Sequence, residues 1–345
     1  MTGIEIRELD IPLRADDPGA AGFFAVVDLR NAIEAEGYGS HELDESHAES
    51  IAEWADDEYE PKRLFVAQVD DELVGYGRYE TRTSDTTLAW LAAGVHPAAR
   101  GRGVGTAIAA WLEAIARAEG RSAVITYTVS APGEGGRLES PTGYGSVPAG
   151  NAEVRFLRAR GYRLEQVERG SRLALPAVVD VPPTPPGYRL LQWTGTTPSE
   201  WLDDMATLYT RMTTDAPTAG LEEPEDPWDA QRVIALEDRV AGDGRVLQLS
   251  AVERDGHLVG MTQLATPRET GRPAVQWETI VLAGHRGHGL GMLMKAANLR
   301  LVQEASPGHP SVITFNAEEN RHMLDVNERL GFVPIGYEGA WKLTL

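Results

Sequence analysis

Apolar and polar positions recur along the chain in an order that repeats. The stretches IEIREL near residue 4 and YRLLQW near residue 188 read as matching opening strands. A helical segment follows each, FFAVVDLRNAIEA and EWLDDMATLYTRM, with apolar residues at three-to-four spacing. Next come two hairpin patterns, RLFVAQVDDELVGYGRYE and VLQLSAVERDGHLVGMTQLA, which alternate around Asp-Asp or Asp-Gly and carry Leu-Val-Gly just beyond the turn. The strands LAWLAAGV and VQWETIVL then lead into glycine loops, and an amphipathic helix leaves each loop. Val104, Ile108, Leu112 and Ile115 share one face of the first helix, and Leu290, Met294, Ala297 and Leu301 share one of the second. A further strand follows, AVITYTV or SVITFN, then a helix ending in Gly-Tyr at 161–162 or Gly-Phe at 331–332. The whole unit is duplicated.

Between the copies, prolines at 176, 182, 183, 185 and 186 prevent helix and deny a central strand its donors. The expected organisation is therefore a domain over 1–175, a linker over 176–187 and a domain over 188–345. A length of 345 residues suits two domains that each bury a core.

The repeated loops are RGRGVG at Arg100–Gly105 and RGHGLG at Arg286–Gly291, 286 − 100 = 186 positions apart. A strand that turns through glycines directly into a helix leaves several backbone N–H groups aimed at one spot, where the helix dipole is positive. Such a loop suits a diphosphate, and Arg100, Arg102, Arg286, His285 and His288 add charge. Neither copy has the Gly-Lys-Ser/Thr of a nucleoside-triphosphate loop. The glycines run G-x-G-x-G rather than G-x-G-x-x-G, and the acidic residue of a dinucleotide site is missing near Arg121 and Ser122.

VHPAARGRGVG, with its R-x-x-G-x-G order after a strand ending in Val, resembles the acetyl-CoA loop of the GCN5-related N-acetyltransferases (GNAT superfamily). VLAGHRGHGLG keeps Arg286, Gly289 and Gly291 in register, and NRHMLDVNERLGF places Asn320 eleven residues before Gly331, as helices of that family often do. In the first half Gly150 holds that place and Asn151 is one residue out of step. The resemblance implies an α+β protein of two tandem folds, each a mixed, mostly antiparallel sheet flanked by helices, similar in plan to mycothiol synthase. It implies acetyl-CoA as co-substrate. Contacts would come from Ile280, Val281, Leu282, Arg286, Gly287, His288, Gly289, Leu290, Gly291 and Asn320, and in the first half from Gly94, Val95, Arg100, Gly101, Arg102, Gly103, Val104 and Gly105. The strands on either side of the loop and helix would splay apart, with the pantetheine arm lying along the former.

Direct transfer to an amine needs a base to take the ammonium proton. Glu278 in VQWETIV is a carboxylate within an otherwise apolar strand, and the register-matched residue of the first half is Ala92. Family members often protonate the leaving thiolate with a tyrosine four residues before the Gly-Phe; Leu157 and Asn327 stand there instead, which leaves Tyr337 as a candidate. The C-terminal half is thus the expected enzyme, acting on a small amine. A silent CoA-binding or regulatory protein and a peptide acetyltransferase are the alternatives.

Composition narrows the partners. No cysteine is present, so disulfides and a thiolate nucleophile are excluded. The eight histidines form no metal-ligand pattern, and no metal is expected. A net charge of −20 argues against nucleic acid and, with the acidic runs DESHAESIAEWADDEYE and LEEPEDPWD, favours a cationic acceptor. MTGIEIRELD lacks a secretory pattern and no apolar run approaches a bilayer span, so a cytoplasmic monomer or homodimer is expected.

Overall fold

The computed structural model describes residues 3–55 and 58–345; residues 1 and 2, and 56 and 57 of the first acidic run, lie outside it. In chain order the first elements are β1 (Glu5–Leu9), α1 (Ala20–Tyr38), α2 (His47–Ala55), β2 (Lys62–Val69), β3 (Glu72–Glu80), β4 (Leu88–Val95), α3 (Val104–Ala118) and β5 (Ala123–Ser130). They are followed by β6 (Arg137–Glu139), β7 (Ser146–Pro148), α4 (Ala152–Ala159) and β8 (Arg163–Ala174). The order then repeats with β9 (Arg189–Thr194), α5 (Leu202–Asp215), α6 (Ala230–Gly242), β10 (Val246–Arg254), β11 (His257–Thr266), β12 (Ala274–Val281), α7 (Leu290–Ala305), β13 (Ser311–Ala317), α8 (Arg321–Leu330) and β14 (Val333–Thr344).

The local chemistry explains the hairpins. Asp70 and Asp71 both take positive φ, as do Asp255 and Gly256, which is the two-residue turn whose twist matches its strands. The first acidic run hides α2. Ser46 and Glu49 bond reciprocally to each other's backbone N–H and so open that helix with a capping box. Helix α6 is capped by Asp229, which accepts from the Arg232 N–H at 2.8 Å. The Gly/Pro-rich stretch after β5, expected as a loop, carries the small hairpin β6–β7.

Two compact units result. One contains Met1–Glu168, Ala219–Glu222 and Gly336–Leu345, and the other contains Arg169–Thr218 and Glu223–Ile335. The proline-rich segment 176–187 therefore lies inside the second unit rather than between the two. The reason is strand pairing. In the first unit the strand order is β1-β2-β3-β4-β5-β14, with Tyr337–Thr344 of β14 antiparallel to Ala123–Ser130 of β5. Lys342 anchors there through the carbonyls of Gly220 and Leu221 and the carboxylate of Glu222. In the second unit the order is β9-β10-β11-β12-β13-β8, taking β8 from Arg169 onward. Each unit thus ends its sheet with the last strand of the other half.

Within each unit helices cover both faces. In the second, α5 and α6 pack Met205, Leu208, Tyr209, Val233 and Leu236 against Leu249, Met261 and Ile280, while α7 lies on β10, β11 and β12 and beside α8. Burial of these aliphatic faces, at about 25 cal/mol per Å², is what holds helices to sheet.

Candidate active site

Both glycine loops adopt the same conformation. Gly101 and Gly103 in one unit, and Gly287 and Gly289 in the other, sit at φ between 73° and 88° and turn the chain into α3 or α7. A Cβ at any of these four positions, or at Gly291, would meet no protein atom within 4 Å, so the loops present bare backbone to open space. The caps of α3 and α7, Gly103 and Gly289, offer no side-chain bond, unlike those of α6 and α8, and no acidic residue follows in the first turn. The first-turn N–H groups are therefore unclaimed by any cap. Val104 and Leu290 bury their side chains in the core, so only their backbone can face a ligand.

The leading arginines do something else. Arg100 donates from Nε to the Val95 carbonyl at 3.2 Å and grips Glu36 of α1 with both terminal nitrogens. Arg286 repeats this with the Val281 carbonyl at 3.0 Å and Asp215 of α5 at 2.6 Å. Each braces its loop against the strand that feeds it. Leu282 is likewise engaged: its N–H donates to Val259 and its carbonyl accepts from His285. The His288 Nδ1 lies 3.2 and 3.1 Å from the carbonyls of His285 and Arg286, so it carries the proton and leaves Nε2 outward.

The expected splay is present in both units. Strand β4 pairs in parallel with β5 only from Leu88 to Trp90, and β12 pairs with β13 only at Ala274 and Val275. Beyond those residues, up to Val95 and Val281, the inner edge has no ladder partner. The result is a wedge lined by extended backbone, closed at one end and open toward the glycine loop.

The two wedges differ at one point. Between Thr262↔Thr279 and Leu264↔Gln276 the β11–β12 register shifts, so that Trp277 and Glu278 together oppose the single residue Gln263. This is a β-bulge, and it re-aims the side chains it carries. Glu278 is half-buried, and among the described residues its carboxylate has no hydrogen-bond or ion-pair partner; burial alone pushes its pKa up. Around it, Gln263 donates to the Tyr209 hydroxyl at 2.5 Å, Tyr209 stacks on Trp228 with centroids 4.3 Å apart, and Arg232 lies over Trp228 while pairing with Asp226. Burial, with a smaller push from the Glu278 charge, holds the Tyr209 hydroxyl well above its ordinary range. The β3–β4 ladder has no such shift, and Ala92 faces Arg78 across it.

Other expected residues fall elsewhere. Tyr337 belongs to the first unit, where it pairs with Ser130 of β5. Asn320 caps α8, its side chain accepting from the Met323 N–H. The second acidic run is largely spent: Glu222 binds Lys342, Asp226 binds Arg232 and Asp229 caps α6. In the first run Glu45 pairs with Arg30 and Glu53 with Arg78. Sequence reasoning missed Tyr209, Gln263 and Lys295, because aromatic and polar residues at helical or strand spacing look like ordinary face positions.

Residues 25–134 match the family described as Acetyltransferase (GNAT) family. No curated protein matches the sequence. Among solved structures, the chain is similar to a tandem GNAT protein from the clavulanic acid biosynthesis pathway, solved without AcCoA; the two are 23% identical, with 99% of this chain and 98% of that one covered and a TM-score of 0.74. A GCN5-related N-acetyltransferase from Sphaerobacter thermophilus is 18% identical over 99% of this chain and 95% of its own, at a TM-score of 0.67. An acetyltransferase structure from Pyrococcus horikoshii is 13% identical over 100% and 90%, at 0.55. Residues 25–134 thus match the GNAT acetyltransferase family, and the chain as a whole shares the two-unit fold of tandem GNAT structures.

Proposed function

We propose that this protein transfers an acyl group, acetyl in the simplest case, from acyl-CoA to a small amine, and that the second unit does the chemistry. The observation that carries this reading is Glu278: a carboxylate without a cation, raised in pKa by burial, placed by a bulge beside the one wedge that holds such a group. The uncapped loops with their open glycines suit the diphosphate of CoA, and the free edge of β12 suits the amides of its pantetheine arm. The amine would attack the thioester carbonyl while Glu278 accepts its proton, directly or through water. With the acidic runs largely paired, the Glu278 carboxylate is the group that meets a cationic acceptor.

The first unit has the loop and the wedge but no carboxylate on β4, and supports CoA binding without turnover. Measuring CoA release from acetyl-CoA against a panel of amines tests the reading directly. Turnover that requires Glu278 supports it, and no turnover with any amine, under conditions where CoA binds, removes it.

A further inference from the structure

Lys295 lies on α7 with 1% of its surface exposed, and among the described residues no hydrogen bond or ion pair reaches its Nζ. The ring of Phe332 lies 5.8 Å from its Nζ. Its place along the wedge follows from the packing. Leu299 and Val302 of α7 cluster with Ala274 and Val312, the residue pair that closes the wedge. Lys295 is one helical turn before Leu299 on the same face, about 6 Å nearer the open end. Five residues separate it from Leu290 at the loop, a drop of about 7.5 Å, against about 10 Å along β12 from Val281 down to the bulge. Ile280 and Tyr209 mark the α5 side of the sheet and Leu290 and Met294 the α7 side, so Glu278 and Lys295 belong to opposite faces of the sheet.

A second buried polar atom lies on the Lys295 side. Asn327 of α8 is 1% exposed and donates to Asn316 of β13 at 2.7 Å, but its Oδ1 has no partner. Two unsatisfied polar groups on facing helices, both over a gap between strands, are what a site looks like when its ligand supplies the missing partners. The first unit has neither, with Ala109 and Leu157 at the corresponding places.

We propose that Lys295 is the catalytic acid of the second unit, giving its proton to the CoA sulfur as the acyl group leaves. This rests on the acyl-transfer reading above. The amine nitrogen bonds to the thioester carbon, the C–S bond breaks with its electron pair on sulfur, and the Lys295 ammonium protonates that thiolate. Glu278 holds the proton lost by the amine, and solvent restores both groups. Burial pushes the Lys295 amine down to about 7, so it can give up a proton near neutrality. Arg321, His322, Asp325, Glu328 and Arg329 on α8, Glu278 on β12, Glu253 and Arg254 on β10, and His257 on β11 are the ionisable groups of the packed elements, and burial is the sole cause of the shift.

The test uses Lys295→Met, with Lys295→Gln as a second replacement, in the full chain. With acetyl-CoA and the best amine, kcat should fall about 100-fold or more, the usual share of a positioned acid, and the fall in rate above neutral pH should disappear. Independently of turnover, the ultraviolet absorbance of the thiolate is followed for bound CoA against pH. In the parent the bound thiol should ionise at lower pH than free CoA, and in both variants it should not. The thiol shift without turnover in the parent would put Lys295 beside the CoA sulfur but remove the acyl-transfer reading, and the acid role would fall with it. Turnover and thiol ionisation unchanged in both variants overturns the role of Lys295 and leaves that reading standing. If CoA does not bind the parent, both fall.

Discussion

Strands β4 and β12 occupy the same place in their units, and each frees its edge beyond a short parallel ladder. They part at a single residue. In β12 the bulge inserts Glu278 beside Gln263, a neutral neighbour that leaves the carboxylate unpaired. In β4 the ladder is regular, Ala92 takes that place, and the cross-strand neighbour is Arg78, held among Glu53 and Glu80. A duplicated scaffold can thus keep its anion loop and wedge in both copies while only one keeps a group able to accept a proton. On the proposed function, that difference would separate a copy that binds from a copy that reacts.

The largest effect should come from removing that difference. Glu278→Gln keeps shape and hydrogen bonding, so turnover should drop by a factor on the order of 10² to 10⁴ with CoA affinity unchanged in calorimetry. The loss should shrink at high pH, where more acceptor amine is already neutral. A variant as active as the parent at neutral pH, with chemistry limiting, would return the two strands to equivalence.

The loops sharpen the comparison next. Gly289→Glu places bulk and negative charge where the diphosphate would lie, and Gly103→Glu does so in the first unit. Gly289→Glu should remove one site's worth of heat, and Gly103→Glu should remove one more only if the first unit also binds. The second loop is expected to be essential and the first to alter stoichiometry without stopping turnover.

A third measurement concerns stability. The Lys295 amine titrates near 7 in the folded protein and near 10.5 when unfolded, so the unfolded state binds the extra proton between those pH values. Its penalty is absent above about 10.5, grows as pH falls, and is complete below about 7. Lys295→Met should therefore melt higher than the parent at neutral pH, by an amount on the order of a few kcal/mol, with the gain vanishing toward pH 10.5. Ala109→Val, its counterpart in the first unit, should show no such pH dependence.

The smallest effects should follow Arg100→Ala and Arg286→Ala. Each removes a partly exposed ion pair worth about 0.2–1 kcal/mol together with a brace on a carbonyl. Slight destabilisation, with CoA affinity reduced only a few-fold, is expected. A loss of binding above 100-fold on Arg286→Ala would mean that the guanidinium serves the ligand after all.

Much of this was legible in the residues. Glycine spacing, hairpin turns and helical faces are local patterns, and they located the loops, the splaying strands and Glu278. Even the bulge left a trace. The hairpin glycines Gly75 and Gly260 are 260 − 75 = 185 apart, whereas the loop arginines are 286 − 100 = 186 apart, and the extra residue is the one β12 accommodates. What remained hidden was non-local. Arg286 could not be seen to bind Asp215, nor Asp226 to bind Arg232, because partner choice depends on how helices pack. Lys295 reads as a solvent-facing helix residue until burial is known. Tyr337 shows the same limit, since position in the chain does not say which sheet a strand joins.

That last point bears on how the protein is made. Strand β5 leaves the ribosome with a bare edge whose partner, Tyr337–Thr344, lies 337 − 130 = 207 positions downstream. At about 5–20 residues per second the edge stays open for roughly 10 to 40 s, a template for wrong pairing in the meantime. Splitting the gene at the proline-rich segment would yield two polypeptides, each lacking a strand that only the other encodes. Neither should accumulate in soluble form alone, whereas co-expression of both should rescue them, so the tandem arrangement ties the production of its two copies into a single event.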